Sequence, residues 1–279
     1  MIITGKYPKL RMRRSRKTDW MRRLVRENSL SSNDFILPIF VTEGKNKKIP
    51  IKTMPEVFRY SVDKLGQIVD RALKLKIPMV AIFPQTNSGL KDSYGSEALN
   101  ENNLVCKAIR KIKDKYKNEI GIMTDVALDP YTSHGHDGIL RNKRILNDET
   151  IEILIQQSLL QAQMGSDVIA PSDMMDGRIG EIRQELDNNS LKDIKILSYA
   201  VKYASSFYGP FRDAVGSKKS LKGDKKTYQM DFSNSEEALR EVALDIKEGA
   251  DLVMVKPGLP YLDIIKKVKE NFKIPVLAY

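Results

Sequence analysis

The chain has 279 residues, of which 41% are hydrophobic and 30% charged, and its formal net charge is +11. This length and composition are typical of a globular protein with one large core, most simply a single α/β domain or barrel. The sequence contains no apolar run of the ~20 residues that span a bilayer and no secretory signal pattern, so we expect a cytoplasmic protein without a membrane segment. The single cysteine, Cys106, excludes an intramolecular disulfide and a zinc site built from several cysteines.

A basic segment, KLRMRRSRKTDWMRRLVRE at residues 9–27, carries much of the excess positive charge. Such a segment is typical either of a nucleic-acid-binding arm or of an arm that packs on a neighbouring subunit. Trp20 is its single aromatic residue, and it contains no nucleic-acid recognition motif. We therefore favour the subunit arm and expect no nucleic-acid partner.

Beyond this segment, apolar runs and helical patterns alternate along the chain. The sequence predicts strands at 35–42, 79–83, 120–128, 168–170, 194–200, 252–255 and 274–278. It predicts helices at 61–75, 103–115, 148–164, 235–248 and 261–271. Regular alternation favours a parallel sheet with right-handed crossovers.

This series predicts an α/β fold, a TIM (β/α)₈ barrel over residues 35–279 with an N-terminal arm at residues 1–34. About seven strands are visible, whereas a closed barrel has eight. The seventh strand also runs to the last residue, Tyr279. We therefore expect a chain that is incomplete at its C-terminus and lacks the last βα unit.

Lys256 stands at the end of the buried strand pattern LVMV and is followed by proline and glycine. Lysine heads are almost never fully buried without a partner, so the position has two open interpretations. The side chain extends from the strand end into solvent, or its amine is desolvated and acts as a Schiff-base nucleophile with a lowered pKa.

The C-terminal ends of barrel strands carry the catalytic groups of TIM barrels. Two lysines on neighbouring strand ends lower each other's pKa, which favours a nucleophilic amine. We expect Asp125 near them to assist proton transfer. The polar residues at these ends are Asp125 and Asp129 on the third strand, Ser172 and Asp173 on the fourth, Lys202 on the fifth and Lys256 on the sixth.

Two loops near these ends carry further polar groups. The loop after Lys202 contains cations that could bind a carboxylate or phosphate, and Arg212 is the strongest candidate, with Lys225 and Lys226. The other lysines of the loop are more typical of a solvated run: Lys218, Lys219 and Lys222. The segment DPYTSHGHDG contains His134 and His136, which suit either a metal site or hydrogen bonds within a loop; we favour hydrogen bonds.

Four segments resemble one family: GADLVMVKPGLPY, SYAVKYASSFYGPFRDA, DVALDPYTSHGHDG and RMRRSRKTDWMRRLVREN. Together they resemble delta-aminolevulinic acid dehydratase, also called porphobilinogen synthase. The resemblance implies a lyase (hydro-lyase) that condenses two molecules of 5-aminolevulinate to porphobilinogen, with loss of two waters, in tetrapyrrole (haem) biosynthesis. It also implies a homooctamer whose arms wrap partner subunits, allosteric control, and no organic cofactor.

The resemblance also implies roles for individual residues. Lys256 matches the lysine that forms the Schiff base at the P site, and Lys202 matches the second lysine, at the A site. Arg212 and Lys225 match the positions that bind the A-site carboxylate, and Gln229 lies beside them. In the family the chain continues into a QVSGEY segment, whose serine binds the P-site carboxylate together with a later tyrosine.

Zinc-dependent members of the family hold their metal with three cysteines, where this sequence has Ala127, Asp129 and Asp137. The resemblance therefore implies the magnesium-responsive form, without zinc, because carboxylates suit Mg²⁺ better than thiolates do. Glu241 matches the position of an allosteric Mg²⁺, and Asp129 and Asp137 are further candidate ligands.

Two other functions stay open at this point. One is a class I aldolase-type lyase with a single Schiff-base lysine, which the pair of lysines disfavours. The other is an inactive basic barrel fragment that binds nucleic acid, which the lack of a recognition motif in the basic segment disfavours.

Overall fold

The computed structural model describes residues 5–217 and 221–279. The strands in these ranges are β1 (Ile36–Thr42), β2 (Lys48–Pro50), β3 (Phe58–Ser61), β4 (Met79–Gln85), β5 (Gly121–Val126), β6 (Ile139–Arg141), β7 (Arg144–Leu146), β8 (Val168–Pro171), β9 (Lys195–Lys202), β10 (Leu252–Lys256) and β11 (Val276–Ala278). The α-helices are α1 (Asp19–Leu24), α2 (Leu65–Lys74), α3 (Leu104–Tyr116), α4 (Asn147–Gln163), α5 (Arg178–Asn188), α6 (Gly209–Ala214), α7 (Glu236–Glu248) and α8 (Leu262–Asn271).

One nine-stranded sheet has the order β11-β10-β9-β8-β5-β4-β1-β3-β2. From β11 to β3 every neighbouring pair is parallel, and β2 pairs antiparallel with β3. The seven predicted strands are therefore adjacent in chain order, as a (β/α) barrel requires. Within the described ranges, β11 and β1 are not paired with each other.

Strand side chains alternate between an inner layer and a layer that faces the helices. On β10, Met254 packs with the inner residues Phe83 and Tyr199, whereas Val253 and Val255 pack with the helices. This two-sided burial explains why the strands read as continuous apolar runs rather than as alternating ones. It also places Lys256, two residues after Met254, on the inner face.

Several elements differ from the sequence prediction, among them the short helices α1 and α6, which were not predicted. Helix α5 was not predicted, although Ile179, Ile182 and Leu186 are buried at helical spacing. The hairpins β2–β3 and β6–β7 were also missed, because their strands are too short to give a clear apolar run. The remaining predicted helices and strands are present with shifts of a few residues at their ends, which is the usual uncertainty of helix and strand limits.

The arm is exposed. Helix α1 has no buried residue, and Trp20 and Leu24 are 58% and 74% exposed. Apolar side chains left uncovered in this way are typical of a surface that another protein covers. In the described part of the chain, no helix is long and apolar enough to cross a membrane.

Candidate active site

Lys202 and Lys256 are opposite each other at the ends of β9 and β10. The register shifts between Val253 and Val255, where β9 contains one more residue than β10. Such a bulge reverses the alternation of side chains beyond it. Without it Lys202 would lie on the opposite face from Tyr199; with it, both lysines face the mouth of the barrel. Lys202 is the last residue of β9, so this strand extends two residues beyond its predicted end at residue 200.

Lys256 is buried in a cage of aromatic rings. Its Nζ lies 4.0 Å from the ring centre of Phe211, 4.2 Å from that of Tyr279 and 5.2 Å from that of Tyr199. No carboxylate in the described ranges forms an ion pair with it. Burial, and then the neighbouring charge of Lys202, lower its pKa to about 7. The structure thus excludes a solvated Lys256, because the side chain is 5% exposed.

Lys202 has a polar environment instead. Its Nζ donates to the backbone carbonyl of Ser172 and lies 3.4 Å from Oδ1 of Asp137. Lys225 completes the cluster, with Nζ 2.8 Å from Oδ2 of Asp137 and 3.4 Å from Oδ2 of Asp129. Burial opposes the charge on Asp137, but Lys202 and Lys225 outweigh it and hold its pKa below the usual range. Two carboxylates and two ammonium groups therefore neutralise one another beneath the mouth.

Asp125 is the second-last residue of β5, where the charges of Lys256, Lys202 and Asp129 act on it. Burial raises its pKa to about 6, although the charges of Lys256 and Lys202 oppose that shift. A carboxyl group that titrates just below neutral pH is able both to accept and to release a proton there. This environment supports the predicted role of Asp125 in proton transfer.

The cationic loop lines the mouth as predicted. Arg212, Lys225 and Gln229 border a cavity of about 670 Å³ and also a smaller space shared with Lys202 and Lys256. The guanidinium of Arg212 lies 5.9 Å from the ring centre of Tyr208, and it has no ion pair among the residues described. Arg212 is therefore available to a bound carboxylate, whereas Lys225 is already paired. Lys218 and Lys219 lie outside the described residues.

The two histidines form hydrogen bonds within loops. His136 Nε2 donates to the carbonyl of Lys222 at 2.7 Å, and His134 Nε2 donates to the carbonyl of Ser93 at 3.2 Å. The backbone N–H of His136 donates to Nδ1 of His134, and Nδ1 of His136 lies 3.1 Å from the hydroxyl of Tyr228. All four ring nitrogens are thus engaged, so the arrangement supports the loop interpretation and not a metal site.

Comparison with known proteins identifies the family. Residues 9–279 match the family model described as delta-aminolevulinic acid dehydratase. The chain belongs to this family. The delta-aminolevulinic acid dehydratase of Bradyrhizobium diazoefficiens is 58% identical over 270 residues, covering 97% of this chain and 76% of the relative. That of Methanothermus sociabilis is 51% identical, covering 98% and 84%.

A solved structure of the family confirms the fold. It is delta-aminolevulinic acid dehydratase (porphobilinogen synthase) from Toxoplasma gondii ME49 in complex with the reaction product porphobilinogen. It is 44% identical, with a TM-score of 0.92, and the match covers 97% of this chain and 77% of that one. The predicted α/β barrel and the lyase class are confirmed, and the aldolase and nucleic-acid alternatives are set aside.

The cluster of Asp129 and Asp137 does not fit a resident metal ion. Both carboxylates are already paired with ammonium groups, and no group of three or more His, Cys, Asp or Glu residues in the described ranges is arranged to hold a metal. Ala127 is buried, and its carbonyl accepts a hydrogen bond from Gln157. Lysines thus supply the positive charge that a metal would otherwise supply here.

Glu241 on α7 has a different environment. It borders a cavity of about 590 Å³, which is lined by the acids Asp176, Asp231 and Glu237 and also by the cations Lys143, Arg144 and Lys226. Burial, and then the negative charges of Asp245 and other acids, raise its pKa to about 6. A hydrated Mg²⁺ takes only one or two carboxylate ligands, and a cation here would relieve this repulsion. No group of three or more His, Cys, Asp or Glu residues in the described ranges is arranged to hold a metal ion, so Glu241 would hold such a cation mainly through water.

Sequence reasoning missed one residue and misplaced another. Asp173, expected at the mouth, instead lies against the buried Arg178, with 3.5 Å between Oδ2 and Nε. Arg178 was not singled out at all, because a buried arginine and an exposed one look alike in a sequence. The helical spacing of the buried Ile179 and Ile182 is the signal that could have predicted helix α5 and the burial of Arg178 at its first position.

Proposed function

We propose that this chain is a porphobilinogen synthase in which Lys256 and Lys202 each capture one molecule of 5-aminolevulinate as an imine. One observation carries the proposal: two buried lysines are paired in register at the barrel mouth, and the pKa of Lys256 is lowered to about 7. A neutral amine at physiological pH is the form that attacks a ketone.

The chemistry at Lys256 follows from its aromatic cage. The amine adds to the ketone carbon, the carbonyl oxygen leaves as water, and a C=N bond replaces the C=O bond. The protonated imine is a cation, and the faces of Phe211 and Tyr279 stabilise a cation at this position. The imine also withdraws electrons from the neighbouring carbon, which acidifies its C–H bond for the step that joins the two substrate molecules.

Asp125 is the group that accepts and returns these protons. It lies near both lysine amines and titrates close to neutral pH, so it needs little free energy to change its protonation state. Over the whole reaction, two ketone oxygens leave as two waters and both lysines are released. No electron donor or organic cofactor is required.

The second substrate is held by its carboxylate. Arg212 presents a guanidinium that has no ion pair with the described residues, and Lys225 and Gln229 border the same cavity. A guanidinium binds a carboxylate in a bidentate manner, which fixes orientation as well as position. Orientation of two identical molecules against each other supplies much of the rate.

Borohydride reduction tests this function. The intact protein is incubated with 5-aminolevulinate, reduced and digested, and the modified peptides are mapped. We expect modification of Lys256 and, at higher substrate concentration, of Lys202. Absence of modification at both lysines would refute the mechanism, and modification of Lys256 alone at every concentration would favour a single-lysine reaction.

Several finer properties belong to the same proposal. Glu241 would hold an activating Mg²⁺ through water-mediated contacts, with no zinc at Asp129 and Asp137. Residues 1–34 would form an arm that packs on partner subunits in an octamer, and 35–279 the barrel. A cytoplasmic location, allosteric control and a missing last βα unit remain predictions. Sequencing downstream of Tyr279 tests the last of these, and sedimentation of the protein tests the octamer.

A further inference from the structure

A group of fully buried charges lies behind the active site and takes no part in the chemistry described above. Arg178, at the start of α5, is 2% exposed. Its Nε lies 3.5 Å from Oδ2 of Asp173, its Nη1 3.6 Å from Oδ1 of Asp245, and its Nη2 donates to Ser198 Oγ at 3.2 Å. Burying an arginine with two aspartates costs more free energy than burying apolar side chains in the same space. Stability of the fold therefore does not explain why these charges are buried here.

The arginine also binds the turn that follows β8. Nη1 of Arg178 donates to the carbonyl of Met175 at 3.2 Å. Oδ1 of Asp173 accepts from the backbone N–H of Met175 at 2.7 Å. The guanidinium and the aspartate that it pairs with therefore fix the same turn from two directions.

This turn is strained. Met174 has a φ of +70°, a left-handed conformation that is unfavourable for a side chain of this size. Such a conformation persists only where the surroundings enforce it, and it is common near active sites. The contacts of Arg178 and Asp173 on either side of Met174 supply that enforcement.

The turn begins at Ser172, whose carbonyl accepts the hydrogen bond from Lys202. Ser172 is also tied to β5 by its backbone N–H, which donates to the carbonyl of Val126 at 2.9 Å. The Ser172 carbonyl lies in the peptide plane that it shares with Asp173, so its direction depends on how Asp173 is held. A relaxed turn would move the acceptor away from Lys202.

We propose that Arg178 is a positioning residue for the second lysine: through Asp173 it holds the strained turn at 172–177, so that the Ser172 carbonyl keeps Lys202 aligned at the mouth. The proposal rests on the function proposed above. It assigns Arg178 to the half of the site that contains Lys202, and not to Lys256, whose surroundings are aromatic side chains from other elements.

The test uses the full-length protein and the variant Asp173→Asn. The amide keeps the hydrogen bond from Met175, so the chain is expected to fold, but the charge that pairs with Arg178 is gone. We expect kcat to fall about 10–100-fold, as a misplaced catalytic group costs. Borohydride trapping at Lys256 should keep the yield of the parent protein, whereas trapping at Lys202 should fall with kcat.

Two further variants, Arg178→Lys and Arg183→Met, are compared with Asp173→Asn. Lysine at 178 keeps the charge and should retain more kcat than Asp173→Asn. Arg183 lies on the same helix and donates to the carbonyl of Ile194 at 2.7 Å, away from the turn, so Arg183→Met should leave the Lys202 yield unchanged.

Three outcomes would overturn the proposal. The first is an unchanged kcat in Asp173→Asn, and the second is an equal loss of trapping at Lys202 and Lys256 in that variant. The third is a loss of Lys202 trapping in Arg183→Met as large as that in Asp173→Asn. If Asp173→Asn does not fold, the Lys202 yield of Arg178→Lys decides in the same way, because an unchanged yield there contradicts the proposal. Failure of the parent protein to form any imine would instead count against the proposed function.

Discussion

Lys256 and Lys202 are paired across β10 and β9, yet their ammonium groups have opposite surroundings. Aromatic rings enclose Lys256, whereas the Asp137 carboxylate and the Ser172 carbonyl bind Lys202. Burial among rings, without an ion pair to any carboxylate in the described ranges, favours a neutral amine, and a bound carboxylate favours a cation. Lys256 is thus ready to attack a ketone first, while Lys202 must first give up contacts to its neighbours.

The variant Lys256→Met separates catalysis from stability. Methionine fits an aromatic cage and removes the buried charge, so turnover should fall roughly 10³-fold or more while the protein becomes no less stable. Turnover assays and thermal unfolding measure the two effects. Lys266→Met, on an exposed lysine of α8, is the matched control and should change neither. A large loss of stability in Lys256→Met would show that the lysine supports the fold.

The pH dependence of imine formation should follow Lys256. Because the neutral amine reacts, the rate of borohydride trapping should rise with pH and reach half its maximum near the pKa of about 7. The negative charge of Asp125 raises that pKa, so Asp125→Asn should move the midpoint to lower pH. A midpoint that stays near the ordinary value of 10.5 would contradict the assignment.

Stability should depend on pH for the same reason. The pKa of Lys256 is lower in the folded protein than in the unfolded chain, so the unfolded chain binds more protons between pH about 7 and about 10.5. The cost of burying the charge is therefore complete below pH about 7 and disappears as the pH rises toward 10.5. Denaturant unfolding should show the parent protein gaining on the order of 4 kcal/mol relative to Lys256→Met across this range.

Much of this site could be predicted from the sequence because it follows local patterns. The apolar run before Lys256 and the glycine after α7 place a strand end, and parallel strands bring their ends together. The bulge in β9 could not be predicted, since it depends on pairing with β10. Strict alternation would have turned Lys202 away from the mouth, so its position at the end of the fifth strand and the family motifs predicted the pair of lysines, but not how the side chain reaches the mouth.

The ion pairs of the site could not be predicted from the sequence either. Asp137 lies 65 residues from Lys202 and meets both Lys202 and Lys225 only after the barrel forms. The sequence therefore suggested a metal for Asp129 and Asp137, whereas the structure supplies lysines. The position of Asp173 could not be predicted for the same reason. Its buried partner, Arg178, belongs to helix α5, which was not predicted.

Lys225 should matter for substrate binding more than for imine formation. In Lys225→Met the carboxylate site loses one cation, so KM should rise about 10–100-fold, the equivalent of one charge-assisted hydrogen bond. Asp137 keeps Lys202 as a partner but Asp129 loses its ion pair, so we expect a loss of stability of about 1–3 kcal/mol. Lys225→Arg should restore most of the affinity, and Lys269→Met, on an exposed position of α8, should leave KM unchanged. A lower kcat with an unchanged KM would place Lys225 in the chemical step instead.

Magnesium should act through Glu241 and not through the lysine site. Addition of Mg²⁺ should raise the turnover of the parent protein and leave Glu241→Gln unaffected, because the glutamine cannot offer a charged ligand. Glu236→Gln, an exposed acid on the same helix, should respond like the parent protein. A zinc-selective chelator should have no effect on either, since Asp129 and Asp137 are neutralised by Lys225 and Lys202. Loss of turnover with that chelator and recovery with zinc would show that a metal does bind at the mouth, and the paired lysines would then have to move aside to admit it.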